Sequence, residues 1–146
     1  MKIHLATDHA GLELKNTIRE SLIEKRYGVI DHGAFEYDPL DDYPDFIFPC
    51  AKAVAADQHS RGIILGGSGQ GEAMAANRIK GVRAAVFYDG PIDILKLSRE
   101  HNNANILSIG ARFISERRVH TIIDIWIEEA FAGGRHEKRI RKLDKF

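Results

Sequence analysis

The run Gly66-Gly67-Ser68-Gly69-Gln70-Gly71 ends directly on Glu72, so a carboxylate follows a loop rich in backbone donors. Alternating glycines permit positive φ and close approach of a ligand to the main chain. Free N–H groups at a helix start favour negative charge, and Ser68 adds a hydroxyl donor. This combination suits enolisation. A base takes the proton beside a carbonyl while fixed donors hold the oxygen that becomes negative, and losing one such donor costs about 100–1000-fold in rate. The competing explanation is a tight strand-to-helix turn, with Glu72 complementing the helix dipole. The loop lacks the Gly-x-Gly-x-x-Gly spacing of dinucleotide folds and the Gly-Lys-Ser/Thr of a phosphate loop. A helix N-terminus lowers a glutamate pKa, whereas a base working near neutrality is better raised. Closure over substrate, excluding water, is expected to supply that upward push.

Other polar groups follow strand or helix ends. Asp8, after the first apolar run, suits sugar hydroxyls or an N-cap of the first helix. Neighbouring His9 is a donor for a phosphate. His101-Asn102-Asn103 ends a helical pattern; the imidazole suits either the helix dipole or, with its adjacent amides, polar ligand recognition. Arg112 follows the fifth strand pattern. Arg135 and Arg139, spaced i, i+4, share a helix face and suit either a phosphate or solvent. No His-x-x-x-His or Cys/His pairing has metal-ligand spacing, so no metal is expected. Cys50 reads as buried packing, and there is no Gly-x-Ser-x-Gly elbow.

These groups must be held by an alternation of short apolar runs and helical patterns. Strands are expected at Ile3–Thr7, Val29–Asp31, Gly62–Leu65, Arg83–Tyr88 and Asn105–Ile109. Helices are expected from Leu12 to a stop at Tyr27-Gly28, from Tyr43 to about Ala56, from the glycine loop to about Arg78, from Pro91 to about His101, and from Ser115 to about Ala130 with Ser115 as N-cap. Gly133-Gly134 then opens a basic helix over 133–146. This rhythm predicts an α/β, Rossmann-like three-layer sandwich: a five-stranded parallel sheet in one domain spanning 1–146. Ligands of such folds bind beyond the carboxyl ends of the strands, where Asp8-His9, Gly66 to Glu72 and Arg112 fall.

The chain's 146 residues suffice for one core. Its 21 Lys/Arg balance 21 Asp/Glu, so there is no bulk attraction for nucleic acid or anionic lipid. The balance is global and not local: residues 1–60 carry 6 basic and 11 acidic side chains, residues 61–146 carry 15 and 10. A lone cysteine, no leader-like start and no long apolar run lead us to expect a soluble, cytoplasmic protein.

With these motifs in order, the chain resembles the type B ribose-5-phosphate isomerases and the related galactose-6-phosphate isomerase subunits. The resemblance spans nearly the whole chain. It rests on Asp8-His9-Ala10-Gly11, Asp42-Tyr43-Pro44, Gly66 to Glu72 with Ala75-Ala76-Asn77, Arg83-Ala84, Arg99 to Asn103, Gly110-Ala111-Arg112 and Gly134-Arg135-His136. It implies an aldose–ketose isomerase that interconverts ribose 5-phosphate and ribulose 5-phosphate through an enediolate, without metal or organic cofactor. By position it implies Glu72 as base, with Ser68, Gly67 and the Gly69-Gln70-Gly71 segment around the enediolate. It implies His101 in ring opening, Asp8 and Asn102 on sugar hydroxyls, and His9, Arg112, Arg135 and Arg139 on phosphate. Tyr43 lines the pocket. In one branch of the family a cysteine opens the glycine loop and acts as base; here Gly66 stands there, matching the glutamate branch. The resemblance also implies a site between two subunits of a homodimer or tetramer, with the C-terminal helix packing on the partner. Two alternatives stay open: a six-carbon aldose phosphate (allose or galactose 6-phosphate) as substrate, or a non-catalytic phosphate- or nucleotide-binding module.

Overall fold

Apolar residues at every second position lay down a sheet with two buried faces. In strand β1 (Lys2–Thr7) Ile3 and Leu5 point to one side and His4 and Ala6 to the other; in β3 (Arg61–Gly66) Ile63 and Leu65 oppose Ile64. A computed structural model describes all 146 residues. It contains β2 (Gly28–Asp31), β4 (Ala84–Phe87) and β5 (Ile106–Gly110), all parallel, in the order β2-β1-β3-β5-β4. All five expected strands form, and the fold is the three-layer sandwich expected.

The helices divide between the two faces. Helices α1 (Leu12–Glu24), α4 (Ile92–Glu100) and α5 (Glu116–Glu128) cover one face, with Ile18, Leu22, Leu95, Val119, Ile122 and Trp126 against Ile3, Leu5, Ile63 and Leu107. Helices α2 (Tyr43–Ala56) and α3 (Gln70–Ala76) cover the other, with Ile47, Cys50, Val54, Ala75 and Ala76 against Ala6, Ile64 and Ile106. A short basic helix, α6 (Arg135–Arg141), follows Gly133-Gly134. Fully burying one such aliphatic side chain contributes roughly 1.5–3 kcal/mol. Cys50 is buried as expected, and burial pushes its thiol well above the ordinary range, so it carries no thiolate chemistry. No helix is long and apolar enough to cross a membrane.

Ser115 caps α5 as expected, accepting from Arg118 N–H at 3.3 Å. Two local details depart from expectation. Helix α1 is closed by Arg26, at φ 68°, rather than by Gly28, which already belongs to β2. Asp8 does not cap α1: its Oδ1 accepts from Ala10 N–H at 2.9 Å, capping the single 3₁₀ turn His9–Gly11, and Gly11 stands at the N-cap of α1.

The strand order places the functional loops. From β1 the chain moves outward to β2, and from β3 it moves the other way. The carboxyl ends of β1 and β3 therefore flank the crevice where such sheets bind ligands. The β1 and β3 loops both open there, and β5 ends beside β3.

Candidate active site

The glycine loop is pinned from below. Ala111 N–H donates to Gly66 O at 2.8 Å and Arg112 N–H to Gly67 O at 3.1 Å, so the end of β5 continues its pairing into the loop. The buried Ser108 hydroxyl donates to Gly69 O at 2.7 Å. Gly69 turns the chain at φ 78° and sits so close to the Ile109 carbonyl that a side chain would collide with main chain. Gln70 N–H donates to Ser68 Oγ at 3.3 Å, leaving the Ser68 O–H free to donate outward. Helix α3 starts at Gln70, which puts Glu72 in its first turn.

Glu72 folds back onto the start of the loop. Its carboxylate lies against the Cα of Gly66 so tightly that a Cβ built on Gly66 overlaps it outright. The residue is only 4 % exposed. Burial pushes its pKa above the ordinary carboxylate range, the nearby Asp8 carboxylate adds to the rise, and the backbone N–H of the helix end opposes it. Packing in the folded chain already supplies the upward push, before any substrate closes the site.

Around this carboxylate the structure gathers Asp8, His9, Tyr43 and Arg112. The Tyr43 ring covers Gly71, and the Arg112 guanidinium covers Gly67, each in the space a side chain would need. His9 is held by Asp41: the ring Nδ1–H donates to Asp41 Oδ1 at 2.6 Å, and the His9 backbone N–H reaches the same oxygen at 3.2 Å. That hydrogen bond is the main reason the His9 pKa is raised, with the charge of Asp8 adding to it and burial and Arg112 opposing. His9 and Arg112 line a common cavity of about 400 Å³. Asp8, His9 and Asp41 also bring three potential ligand atoms within 4.8 Å of one another. Asp8 Oδ1 and Asp41 Oδ1 are already engaged by Ala10 and His9.

Asp41 escaped the sequence reading, lost among the acids of a polar loop. Its only signal was its place just ahead of Asp42-Tyr43-Pro44. The loop is brought back to β1 by main-chain pairing, Thr7 N–H to Gly33 O and Ala34 N–H to Thr7 O, both 2.7 Å. At its root Asp31 accepts twice from Lys15 Nζ, at 2.7 Å each.

The remaining expected residues form a second group. His101, Asn102, Arg135 and Arg139 line one cavity of about 360 Å³, together with His136. His101 and His136 stack with ring centroids 4.1 Å apart. Arg135 and Arg139 do share a face of α6. No residue of the Glu72 group lines this cavity, so a single chain carries the expected site as two separate halves.

The α/β sheet thus carries a buried carboxylate packed on a donor loop, with one basic corner at His9 and Arg112 and another at Arg135 and Arg139. The ribose/galactose isomerase family matches residues 3–143. Ribose-5-phosphate isomerase B of Mycobacterium leprae is 42% identical over 147 residues, covering 100% of this chain and 90% of that one. The solved structure of ribose-5-phosphate isomerase B from Mycoplasma genitalium, with bound ribulose-5-phosphate, superposes with a TM-score of 0.94 at 40% identity over 99% of this chain and 94% of that one. The Clostridium thermocellum ribose-5-phosphate isomerase B gives 0.93 at 40% identity, covering 99% and 96%. The chain belongs to the ribose/galactose isomerase family.

Proposed function

We propose that this protein interconverts ribose 5-phosphate and ribulose 5-phosphate, with Glu72 as the proton carrier. The observation that carries the reading is the buried Glu72 carboxylate, packed on Gly66 beside Asp8 with its pKa raised and a donor loop alongside. In the forward direction the furanose first opens: the anomeric O–H loses its proton, the ring oxygen gains one, and the C1 aldehyde appears. Glu72 then removes the proton from C2. The electron pair forms the C1–C2 double bond and the C1 carbonyl oxygen becomes the enediolate oxygen, steadied by Ser68 and the Gly67 and Gly69 to Gly71 amides. Glu72 returns the proton to C1 while the O2 proton passes to O1, so that O1 becomes a hydroxyl and the C2 ketone results. A positioned base of this kind contributes about 10²–10⁴-fold. The chemistry balances with protons alone, and no cofactor enters it.

His9 and Arg112 hold the phosphate on one side. His101 for ring opening, Asn102 for a hydroxyl, and Arg135 and Arg139 for phosphate come from a second copy of the chain. The separation of the two halves supports this. So do the exposed apolar side chains Met74, Tyr88, Ile94 and Phe113, which a second copy would cover. The lone buried Cys50 accords with a reducing, cytoplasmic setting.

The test is conversion of ribose 5-phosphate by the purified protein without added metal, with kcat/KM compared across ribose, allose and galactose phosphates. Glu72→Gln should lower kcat about 10²–10⁴-fold while sugar phosphate still binds. Full activity in that variant removes Glu72 from its role. Sugar-phosphate binding with no turnover of any aldose phosphate would identify a binding module instead. A preference for a six-carbon substrate would shift the assignment within the family.

A further inference from the structure

A second charged site lies at the opposite end of the sheet. Arg61 opens β3, Arg83 immediately precedes β4 and Arg99 lies in the last turn of α4, so all three guanidiniums fall at the amino ends of the strands. Arg61 and Gly66 are the two ends of one strand, about 17 Å apart at ~3.3 Å per residue. The three arginines line one cavity of about 550 Å³, which also holds Met1.

Each guanidinium is fixed by carbonyl oxygens and not by carboxylates. Arg61 donates to Trp126 O at 3.1 Å and to Ile127 O at the end of α5. Arg83 Nε–H donates to Asn103 O at 2.9 Å. Arg99 donates to Glu129 O, Asn103 Oδ1 and Ala104 O at 3.1, 2.8 and 2.7 Å. Asn103, at φ 46°, turns its carbonyl to Arg83 and its side chain to Arg99. Arg61 and Arg99 both lie over the Trp126 ring, 5.4 and 5.8 Å from its centroid. The cluster is therefore one rigid unit.

No ion pair neutralises the cluster, and Asp144 and Glu129 attract Arg83 and Arg99 only at longer range. No carboxylate comes within 4 Å of any of the three guanidiniums. The acids nearby are engaged elsewhere: Glu137 with Arg141 at 2.8 Å, Glu129 with Lys96 at 3.9 Å, and Asp144 with Gly81 N–H at 3.0 Å. Burial, then the neighbouring charges of Arg61 and Arg83, lower the Arg99 pKa to about 10, while Glu129 opposes. Carbonyl caps satisfy some of the fifteen N–H bonds that three guanidiniums carry, no guanidinium nitrogen is both sealed from solvent and without a partner, and all three side chains line the cavity.

We propose that the Arg61–Arg83–Arg99 cavity binds a phosphate-type polyanion, separately from the site at the carboxyl ends of the strands. Forked, backbone-braced guanidiniums match the oxygens of a phosphate group, and a bound dianion removes the mutual repulsion of three cations held in one pocket. The volume accommodates a diphosphate, free or carried on a nucleoside.

The experiment is titration calorimetry of the full chain with inorganic pyrophosphate, with ADP as the arm that distinguishes a nucleotide from the free anion. Two saturable sites per chain are expected for the unaltered protein and one for Arg83→Gln, with affinity at the lost site down at least tenfold. Because Arg83 also braces Asn103, the arginine Nε–H resonances of the unaltered protein give a readout independent of any variant. Pyrophosphate should shift those of Arg83 and Arg99. Tighter ADP than pyrophosphate binding at this site assigns a nucleotide, and equal binding assigns the anion itself. A single site per chain, two sites surviving in a folded Arg83→Gln protein, or unmoved Arg83 and Arg99 signals would overturn the proposal.

Discussion

Replacing Gly66 by alanine should cut the activity on the order of 100-fold by displacing the Glu72 carboxylate that packs against it. Position 66 has an ordinary backbone conformation, so alanine is allowed there; the obstacle is the Glu72 carboxylate occupying the space of its methyl. Non-bonded contacts need about 3.5 Å, so the carboxylate has to withdraw by at least about 1 Å. A misplacement of that size costs on the order of 100-fold, or about 2.7 kcal/mol of transition-state stabilisation. Overpacking of one methyl costs about 1–3 kcal/mol of stability, tolerable for a domain of this size. Withdrawn into water, Glu72 also loses the burial that raises its pKa, so the acidic limb of the rate profile should move to lower pH. The assay is kcat/KM for ribose 5-phosphate against pH, with thermal melting as the folding control. The same change placed in a Glu72→Ala background should cost nothing further, because it acts only through Glu72. A folded Gly66→Ala protein within threefold of the parent's kcat/KM, or a fully additive double variant, would refute the reasoning.

Glu72→Gln should stabilise the fold at pH 7 and leave it unchanged near pH 4. A carboxyl whose pKa is raised by folding binds more protons folded than unfolded, so its cost grows as pH climbs from about 4.3 through the raised value; melting temperatures at the two pH values check this. Asp41→Asn should drop the His9 pKa, because Asp41 is the main cause of its rise, and should raise KM for sugar phosphate most above pH 6.5. Histidine ring NMR together with the KM profile tests it, and a pH-independent KM change would contradict it. Lys15→Met should cost about 3–5 kcal/mol by urea unfolding, since it strands Asp31 beside a fully buried position. His4 and His32 contact at 2.9 Å, and both pKa values are lowered, chiefly by burial. Stability should therefore fall as pH drops below 6.5, and His32→Gln should flatten that fall.

The layered fold could be read from residues because its signals are local. Ile3 and Leu5 alternate with His4 and Ala6, and Ser115 is followed by a helical face of Val119, Ile122 and Trp126. The strand order could not be read, since it depends on which buried faces meet across long crossovers. The donor loop and Glu72 were legible as neighbours in sequence. That Glu72 turns back onto Gly66 was not, because a glycine carries no trace of what fills its missing side chain. Asp41 was hidden because its partner, His9, is 32 residues away. Arg61, Arg83 and Arg99 come from three segments that only the amino edge of the sheet brings together.

The overlap between Gly66 and Glu72 also governs how a site of this kind can change by descent. One small volume holds either a side chain from position 66 or the carboxylate from position 72, and not both. A reactive group gained at 66 is harmful while Glu72 remains, and Glu72 lost is harmful while 66 stays bare. The two positions are in sign epistasis, so a lineage exchanging one proton carrier for the other crosses a fitness valley. A duplicate gene, freed from supplying the activity, gives it a route across.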